Sequence, residues 1–314
     1  MTLRLIPCTI VSSRALAPEM HMSSDLTVEE YFLIWLGSIH VAEGTALLYE
    51  HNIKTKLTPK LGDLPIEDLT ADHVRSLYTE MEAAGLASKT IFNFHGLLHK
   101  ALRDAVERRI IPFNVVDTIH LKKPHSRVGK VWTAEQVKTF LTRAGDDSLF
   151  PLWRLLATTG MRRGEALGLF WKDLDGPYLT IERTYTPRKV FKPSPKTKAG
   201  FRTISLDQET IDTLYRHKNS EHYVIAPHDR PVHPEYASKR FPRLAVKHGL
   251  PRIRLHDLRH TYATLALQQC QNFADMKTLS RRLGHASITF TLDTYGHVLR
   301  GQDEELANQV AGMF

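Results

Sequence analysis

The stretch YLTIERTYT, residues 178–186, decides the fold class, because it alternates like a β-strand in a chain whose other patterns are mostly helical. A second stretch, FRTISL at residues 201–206, alternates in the same way and is predicted to be its partner. Three prolines and several lysines lie between them, so we expect a long, mobile and basic hairpin loop. After Asp207 the pattern is helical again almost to the end. The sequence therefore predicts a mainly α fold with a small antiparallel β-sheet.

Helical patterns fill the part of the chain that precedes this sheet. Thr27 begins the first helix with a T-x-x-E capping box. Three further helices are predicted at residues 45–57, after Thr70 and from Ser88 onward. Their apolar stripes must pack against one another, which predicts a small all-helical domain.

Changes in pattern divide the chain into four parts. We interpret residues 1–21 as a flexible lead-in and residues 22–117 as the helical domain. The segment 118–130 is basic, contains Pro and Gly and lacks periodicity, so it is predicted to be an interdomain linker. A second capping box at Thr133 opens a mixed domain that we place at residues 131–314.

Composition limits the possible partners. The 42 Lys and Arg residues exceed the 34 Asp and Glu residues by 42 − 34 = 8, which favours a polyanionic partner, although such a surplus also keeps a protein soluble. Two cysteines, Cys8 and Cys270, fit a reducing compartment. No apolar run approaches the roughly 20 residues that a membrane helix needs. We therefore expect a cytoplasmic protein without a membrane partner.

The segment TTGMRRGEALGL, residues 158–169, places an arginine between two predicted helices. One helix ends at Gly160, so Arg162 lies in a turn from which a guanidinium can reach a ligand. The alternative is that Arg162 pairs with Glu165 or faces solvent.

The segment LHDLRHTYAT, residues 255–264, combines histidines with an arginine on one predicted helix. His256 and Arg259 are three residues apart and share a face, which favours an anion between them. A zinc site at His256 and His260 is the alternative. The zinc motif H-E-x-x-H needs Glu where this chain has Asp257, and the intervening arginine would repel the metal.

Two further segments contribute a histidine and a tyrosine. In SRRLGHAS, residues 280–287, a glycine breaks the helix just before His285, which can therefore reach a ligand. The alternative is that His285 only forms a hydrogen bond to a nearby carbonyl group. In TLDTYGHV, residues 291–298, Tyr295 follows a polar helical turn, and simple packing is its alternative role.

Together these side chains can attack a phosphodiester without a metal ion. Two guanidiniums can hold the nonbridging oxygens and stabilise the extra charge of the transition state. A phenol can attack if a base accepts its proton, and the resulting phosphotyrosine conserves the bond for resealing. A lysine of the basic hairpin is a source of the proton that the leaving 5′ oxygen needs.

The order of these motifs resembles the tyrosine recombinase (phage integrase) family. TGMRRGE, PKTKAGFRTISL, HDLRHT, RRLGHAS and DTYGHV follow one another as in that family, and the likeness covers roughly residues 22–300. The resemblance implies a site-specific recombinase that cleaves and rejoins DNA through a 3′-phosphotyrosyl intermediate and needs no cofactor or metal. Integration or excision of a phage or mobile element is the implied role.

The resemblance also implies a role for each matching residue. Arg162 and Arg259 would clamp the scissile phosphate, and Tyr295 would be the nucleophile. His256 would assist proton transfer or bind a nonbridging oxygen, and His285 would stabilise the transition state.

The hairpin lysine is open between two positions. Lys196, from the KT pair, is our first choice as general acid, and Lys198 is the alternative because the alignment is ambiguous over two residues. Glu165 matches an acidic residue of the family, and we expect it to support the arginine helix.

The family's partners are carried over as expectations. They are double-stranded DNA core sites and further copies of the chain, which would be a monomer when free and a homotetramer on DNA in the bacterial nucleoid. An accessory DNA-bending or directionality protein stays open. The tail after Tyr295, with Leu299, Leu306 and Val310, would pack on its own protomer or on a neighbour.

One departure from the family pattern and two rival functions remain. The roughly 20 residues before the first helix are too few for the arm-site module of many phage integrases, so arm-type binding stays open between a simpler recombinase, a shortened chain and contacts supplied from elsewhere. A type IB topoisomerase shares this chemistry but acts as a monomer. A DNA-binding protein that has lost catalysis is the other alternative.

Overall fold

The structure is a computed structural model that describes residues 26–124, 129–193, 200–285, 287–295, 308 and 310–313, without the side chains of residues 290 and 293–295. The chain forms two compact units, Met1–Ser126 and Arg127–Phe314. Their boundary falls within the segment 118–130, although Ile119 still packs in the core of the first unit.

The described part of the first unit is helical. Its α-helices are α1 (Val28–Ser38), α2 (Glu43–Asn52), α3 (Thr58–Leu61), α4 (Ala71–Ala83) and α5 (Ser88–Glu107). A π-helical turn, Ile53–Leu57, joins α2 to α3, so the helix predicted at 45–57 starts earlier and widens at its end. The widened turn buries both Ile53 and Leu57.

Capping and buried aromatic residues define this unit. The Thr27 hydroxyl accepts a hydrogen bond from the Glu30 amide, and the Thr27 amide donates one to the Glu30 carboxylate, as the sequence predicted. Tyr31 donates to the carbonyl oxygen of Ala101 at 2.6 Å and Trp35 donates to Asp104 at 2.6 Å. These bonds satisfy the polar ends of the two rings while their apolar surfaces join α1 to α5.

The second unit combines helices with short strands. Its helices are α6 (Ala134–Arg143), α7 (Phe150–Thr159), α8 (Arg163–Leu167), α9 (Gln208–Arg216), α10 (Pro234–Lys247), α11 (Leu255–Gln268), α12 (Phe273–Leu283) and α13 (Ile288–Tyr295). Its strands are β1 (Leu174–Asp175), β2 (Tyr178–Ile181), β3 (Arg183–Tyr185), β4 (Phe191–Pro193) and β5 (Arg202–Ser205).

The strands form two small antiparallel sheets. One has the order β1-β2-β5, and β3 pairs with β4 in the other. The single strand predicted at 178–186 is therefore wrong in detail, because it divides at Glu182 between the two sheets. The segment predicted as loop also contains a strand, β4, because the ring of Phe191 packs on Tyr185 at 4.7 Å and on Phe170 at 5.2 Å.

The prediction of continuous helix after Asp207 is also wrong in part. Residues 217–233 lie between α9 and α10 without forming a helix. Pro227 and Pro231 oppose helix formation there. The segment is fixed by backbone bonds, with the amide of Trp171 donating to His222 and the amide of Val224 donating to Leu169.

The core of the second unit gathers the helix ends that carry the site. Trp132, whose amide donates to Thr261 on α11, packs on Phe140 and Phe241, and Phe241 also packs on Trp153. Helix α11 contacts both α7 and α12. None of the helices in the described ranges is long and apolar enough to span a membrane.

Candidate active site

Arg162 lies at the turn between α7 and α8. Helix α7 ends at Gly160 in the left-handed conformation, with φ of 64°, and Arg162 is the N-cap of α8. The Arg162 amide donates to Glu165 at 2.8 Å, and its Nη1 donates to the same carboxylate at 2.9 Å. The pairing of Arg162 with Glu165, which the sequence offered as an alternative, is therefore present. However, 40% of the Arg162 side chain remains exposed, and its Nη2 donates to the carbonyl oxygen of Gly284 at 3.2 Å.

Glu165 is shared between two arginines. Its side chain is 1% exposed, and it accepts hydrogen bonds from Arg202 at 2.8 and 3.2 Å in addition to those from Arg162. Burial alone would raise the pKa of the Glu165 carboxyl, but the hydrogen bonds and charges of Arg202 and then Arg162 hold it below its ordinary value. Glu165 is therefore an ionised support at the base of the site, as expected.

Arg202 is a site residue that sequence reasoning missed. It begins β5 and lies on the buried side of that strand together with Ile204. A signal was available, because an arginine at an inward position of an alternating strand needs a buried acidic partner. Nothing in the sequence identifies Glu165, 37 residues away, as that partner.

Arg259 is the second arginine of the site and is 5% exposed. Its Nη1 donates to the carbonyl oxygen of Gly160 at 2.8 Å, and its Nη2 donates to that of Leu283 at 2.7 Å. The same Nη2 lies 2.8 Å from Nε2 of His285. These contacts hold the guanidinium between the ends of α7 and α12.

The contacts of His285 define its protonation state. Because a guanidinium only donates, Nε2 of His285 accepts from Arg259, and the proton therefore resides on Nδ1, 2.8 Å from the hydroxyl of Thr291. Burial, then the charges of Arg259, Arg162 and Arg202, lower the pKa of His285 to about 3. His285 is neutral at pH 7. Its hydrogen-bond partners are Arg259 and the hydroxyl of Thr291, and not only a carbonyl group as the alternative from the sequence assumed.

His256 and His260 project from the first turns of α11 with ring centroids 4.9 Å apart. Burial of part of the His256 ring, the neighbouring His260 and the charge of Arg259 lower the pKa of His256 to about 4, although the residue is exposed at the surface. Among the described residues no group of three or more His, Cys, Asp or Glu could hold a metal ion. The charges of Arg254 and Arg259 bear on both rings and oppose binding of a dication at this pair.

His256 borders a groove of about 750 Å³ in the second unit. Five of its lining residues are cationic, and one is acidic; the cationic residues are Lys130, Lys239, Arg243, Arg252 and Arg254. Arg254 is paired with the buried Asp257 at 2.7 Å, which fixes the entry to α11. The groove offers positive charge beside a histidine that is neutral at pH 7.

Three of the predicted site positions are described only in part or not at all. Tyr295 is the last residue of α13, four residues after Thr291, and its side chain lies outside the described part. Lys196 and Lys198 also lie outside the described residues, in the segment between β4 and β5. The structure thus brings together Arg162, Arg259 and His285, with His256 near Arg259.

Two family models match the chain. The model described as the phage integrase family matches residues 130–301, and the model of the phage integrase N-terminal SAM-like domain matches residues 27–81. The first match covers more than half of the chain. The chain belongs to the phage integrase family.

Relatives and solved structures agree with this membership. The integrase is 26% identical over 265 residues to the ICEBs1 integrase of Bacillus subtilis (strain 168), covering 78% of this chain and 71% of the relative. It is 25% identical over 305 residues to the integrase of Mycobacterium phage D29, and the match covers 92% of this chain and 79% of the relative.

The Tn1549 transposon integrase, solved in complex with a circular intermediate DNA, has the same fold with a TM-score of 0.77, at 23% identity over 90% of this chain and 99% of that one. A lambda integrase dimer bound to a COC′ core site gives a TM-score of 0.70 at 22% identity. The match covers 86% of this chain and 95% of that chain. These similarities show the fold.

The integrase is therefore a site-specific DNA recombinase that breaks and rejoins strands, of the kind found in phages and mobile elements. The family, the mainly α fold class and the activity predicted from the sequence are confirmed.

Proposed function

We propose that the integrase cleaves one DNA strand by attack of Tyr295 on a phosphate held by Arg162 and Arg259. The observation that carries this assignment is the convergence of Arg162, Arg259 and His285 at the end of α12, next to Thr291 on the helix that ends at Tyr295. Thr291 and Tyr295 are separated by about one helical turn.

The two arginines suit complementary parts of this task. Arg162 is 40% exposed, so its guanidinium can meet a nonbridging oxygen without any opening of the α7–α8 turn. Arg259 is buried and fixed by two backbone carbonyl oxygens, so its donors are oriented before DNA arrives. Preorganised donors stabilise developing negative charge without a reorganisation cost at the moment of reaction.

The bond changes follow from these assignments. The Tyr295 oxygen forms a bond to phosphorus, the bond to the 5′ oxygen breaks, and the enzyme keeps the 3′ phosphate. His256 is neutral at pH 7 because its pKa is about 4, so it can accept the phenolic proton. His285 stabilises the transition state through Arg259, whose guanidinium it orients by accepting a hydrogen bond from Nη2. Lys196, or alternatively Lys198, protonates the 5′ oxygen. Attack of a 5′ hydroxyl on the phosphotyrosine reverses these steps and reseals the strand.

The cationic groove next to His256 supports a duplex as the substrate. We assign its lysines and arginines to phosphate contacts that lead the strand to the site. The first domain, residues 22–117, is assigned to core-site binding and residues 131–314 to catalysis, with 118–130 as their linker. The action takes place in the bacterial cytoplasm.

We propose a homotetramer on DNA that dissociates to monomers when free. The lambda integrase has been solved as a tetramer bound to a Holliday junction, which supports this assembly for a chain with the same fold. An accessory DNA-bending or directionality protein fits the scheme as an additional partner.

Covalent trapping tests the nucleophile. The protein is incubated in EDTA with nicked duplexes taken from DNA that flanks its own gene, and adducts are separated on a denaturing gel. We expect an adduct with the wild type and none with Tyr295→Phe, while both proteins bind the duplex equally. An adduct of unchanged yield in Tyr295→Phe would show that another residue attacks.

A further inference from the structure

The contacts of Arg202 join three parts of the site. Its Nη atoms donate to both oxygens of Glu165, and its Nε donates to the carbonyl oxygen of Arg282 at 2.7 Å. Its side chain is 4% exposed. Strand β5, helix α8 and the end of α12 therefore meet at one guanidinium.

We infer that Arg202 is a positioning residue of the cleavage reaction. It balances the charge of Glu165, which leaves Arg162 available to a phosphate, and it holds the turn that carries His285. This inference rests on the proposed function, because it assigns Arg202 to the site that holds the phosphate. Arg202 itself is buried behind Glu165 and acts through other residues.

The first part of the argument concerns charge. Glu165 is 1% exposed and ionised, and it contacts both Arg202 and Arg162. With both arginines present, the group has one negative and two positive charges, so Arg162 keeps attraction for a phosphate. Without Arg202, the carboxylate would have Arg162 as its counter-charge, and a buried carboxylate binds such a partner strongly. Arg202 thus keeps Arg162 available to DNA.

The second part concerns the backbone before His285. Helix α12 ends at Gly284, which has φ of 69°. A methyl group at residue 284 would lie 2.8 Å from Nη1 of Arg202, so the backbone rests directly against the guanidinium. The carbonyl oxygen of Gly284 accepts from Arg162. Arg202 therefore supports the turn that aligns Arg162 and His285.

Position in the chain extends this role. Arg202 follows the segment that contains Lys196 and Lys198 by only a few residues, at the first position of β5. Its bonds to Glu165 fix the start of β5 to the helix α8 that follows Arg162.

A double substitution separates this role from a purely structural one. Adduct formation is followed in a single turnover at saturating suicide duplex, and the Kd for the duplex is measured separately. We expect Arg202→Met to slow adduct formation at least 100-fold with Kd changed less than threefold. Adding Glu165→Gln to that variant removes the charge that captures Arg162, and we expect at least a tenfold recovery of rate. A purely structural role predicts a double variant as slow as Arg202→Met or slower.

A matched control and a conservative variant complete the test. Arg154 is another buried arginine of the second unit, paired with Asp207 at 3.0 Å, and Arg154→Met should leave the rate within threefold. If Arg202→Met fails to fold, as judged by circular dichroism, Arg202→Lys takes its place. Lysine keeps the charge, so adding Glu165→Gln to Arg202→Lys should slow the reaction further, and a faster double variant would overturn the inference.

The outcomes distinguish the two proposals. Absence of a Tyr295-dependent adduct in the wild type would overturn the proposed function. A wild-type adduct with an unchanged rate in Arg202→Met, or with no recovery in the double variant, would overturn the role of Arg202 alone.

Discussion

The guanidinium of Arg259 donates to the carbonyl oxygen of Gly160 at 2.8 Å across 99 residues of chain. Gly160 immediately precedes the turn that carries Arg162, yet it anchors the other arginine. Arg162 in turn donates to Gly284, at the end of α12. Each arginine is thus held by the carbonyl group of a left-handed glycine that terminates a helix elsewhere in the fold. Helix C-terminal carbonyl groups carry partial negative charge, so these anchors suit cations.

Gly160→Ala should damage both stability and cleavage. Residue 160 has φ of 64°, and an added methyl group would overlap the ring of Tyr262. We expect a loss of about 2 kcal/mol or more in the free energy of unfolding, from backbone strain and overpacking together. Urea denaturation and the adduct rate measure the two effects. Gly176→Ala is the control, since it has φ of 53° with open space around it and should lose only about 1 kcal/mol. Equal losses in the two variants would contradict the overlap with Tyr262.

Acid should destabilise the integrase through His285. Its pKa in the folded chain is about 3 against an ordinary 6.5, so the unfolded state binds more protons between these values. Stability is therefore complete above pH 6.5 and falls as the pH drops toward 3. Between pH 7.5 and 5.0 the wild type should lose about 1–2 kcal/mol more than His285→Gln, which does not titrate. Urea unfolding followed by tryptophan fluorescence tests this, and parallel losses would refute it.

The cationic groove should determine the salt dependence of DNA binding. Lys239, Arg243 and Arg252 line it, and removing one phosphate-binding side chain should lower the slope of log K against log salt by about 0.9. Replacing any of these residues with Gln should therefore weaken binding similarly on specific and nonspecific duplexes. Lys218→Gln is the control, because Lys218 pairs with Glu221 and does not line the groove. An unchanged slope in all three groove variants would place the DNA elsewhere.

A modified substrate should identify the general acid. A 5′-bridging sulfur leaves as a thiolate, which is far less basic than an alkoxide and needs no proton from the enzyme. Lys196→Ala should therefore cleave normal DNA at least 100-fold more slowly than wild type, yet cleave the sulfur-substituted duplex at a comparable rate. Lys198→Ala should be affected much less on either duplex. The reverse pattern would transfer the role to Lys198.

Local chemistry explains which parts of this molecule were predictable. The capping boxes at Thr27 and Thr133 and the left-handed glycines at 160 and 284 act within a few residues, so the sequence alone revealed them. The pairing of Arg162 with Glu165 was visible for the same reason. Arg202 was missed because its partners lie 37 and 80 residues away, and no local pattern encodes such contacts.

Packing between distant residues explains the remaining errors. Strand β4 depends on aromatic contacts of Phe191 with Phe170 and Tyr185, which override a proline-rich composition. The course of residues 217–233 depends on backbone bonds to Leu169 and Trp171. Periodicity describes one segment at a time. It therefore cannot predict contacts with residues that are distant in the sequence and become neighbours only in the folded chain.

The crossed glycine anchors make assembly of the site a late event in folding. A ribosome releases α8 long before it releases Gly284, so a nascent chain holds Arg162 without its distant acceptor. Such long-range contacts form slowly because closing a large loop costs entropy before any contact compensates for it. A chain interrupted within α12 would therefore lack an aligned pair of arginines. Strand cutting is in this way restricted to chains that have been synthesised and folded beyond α12.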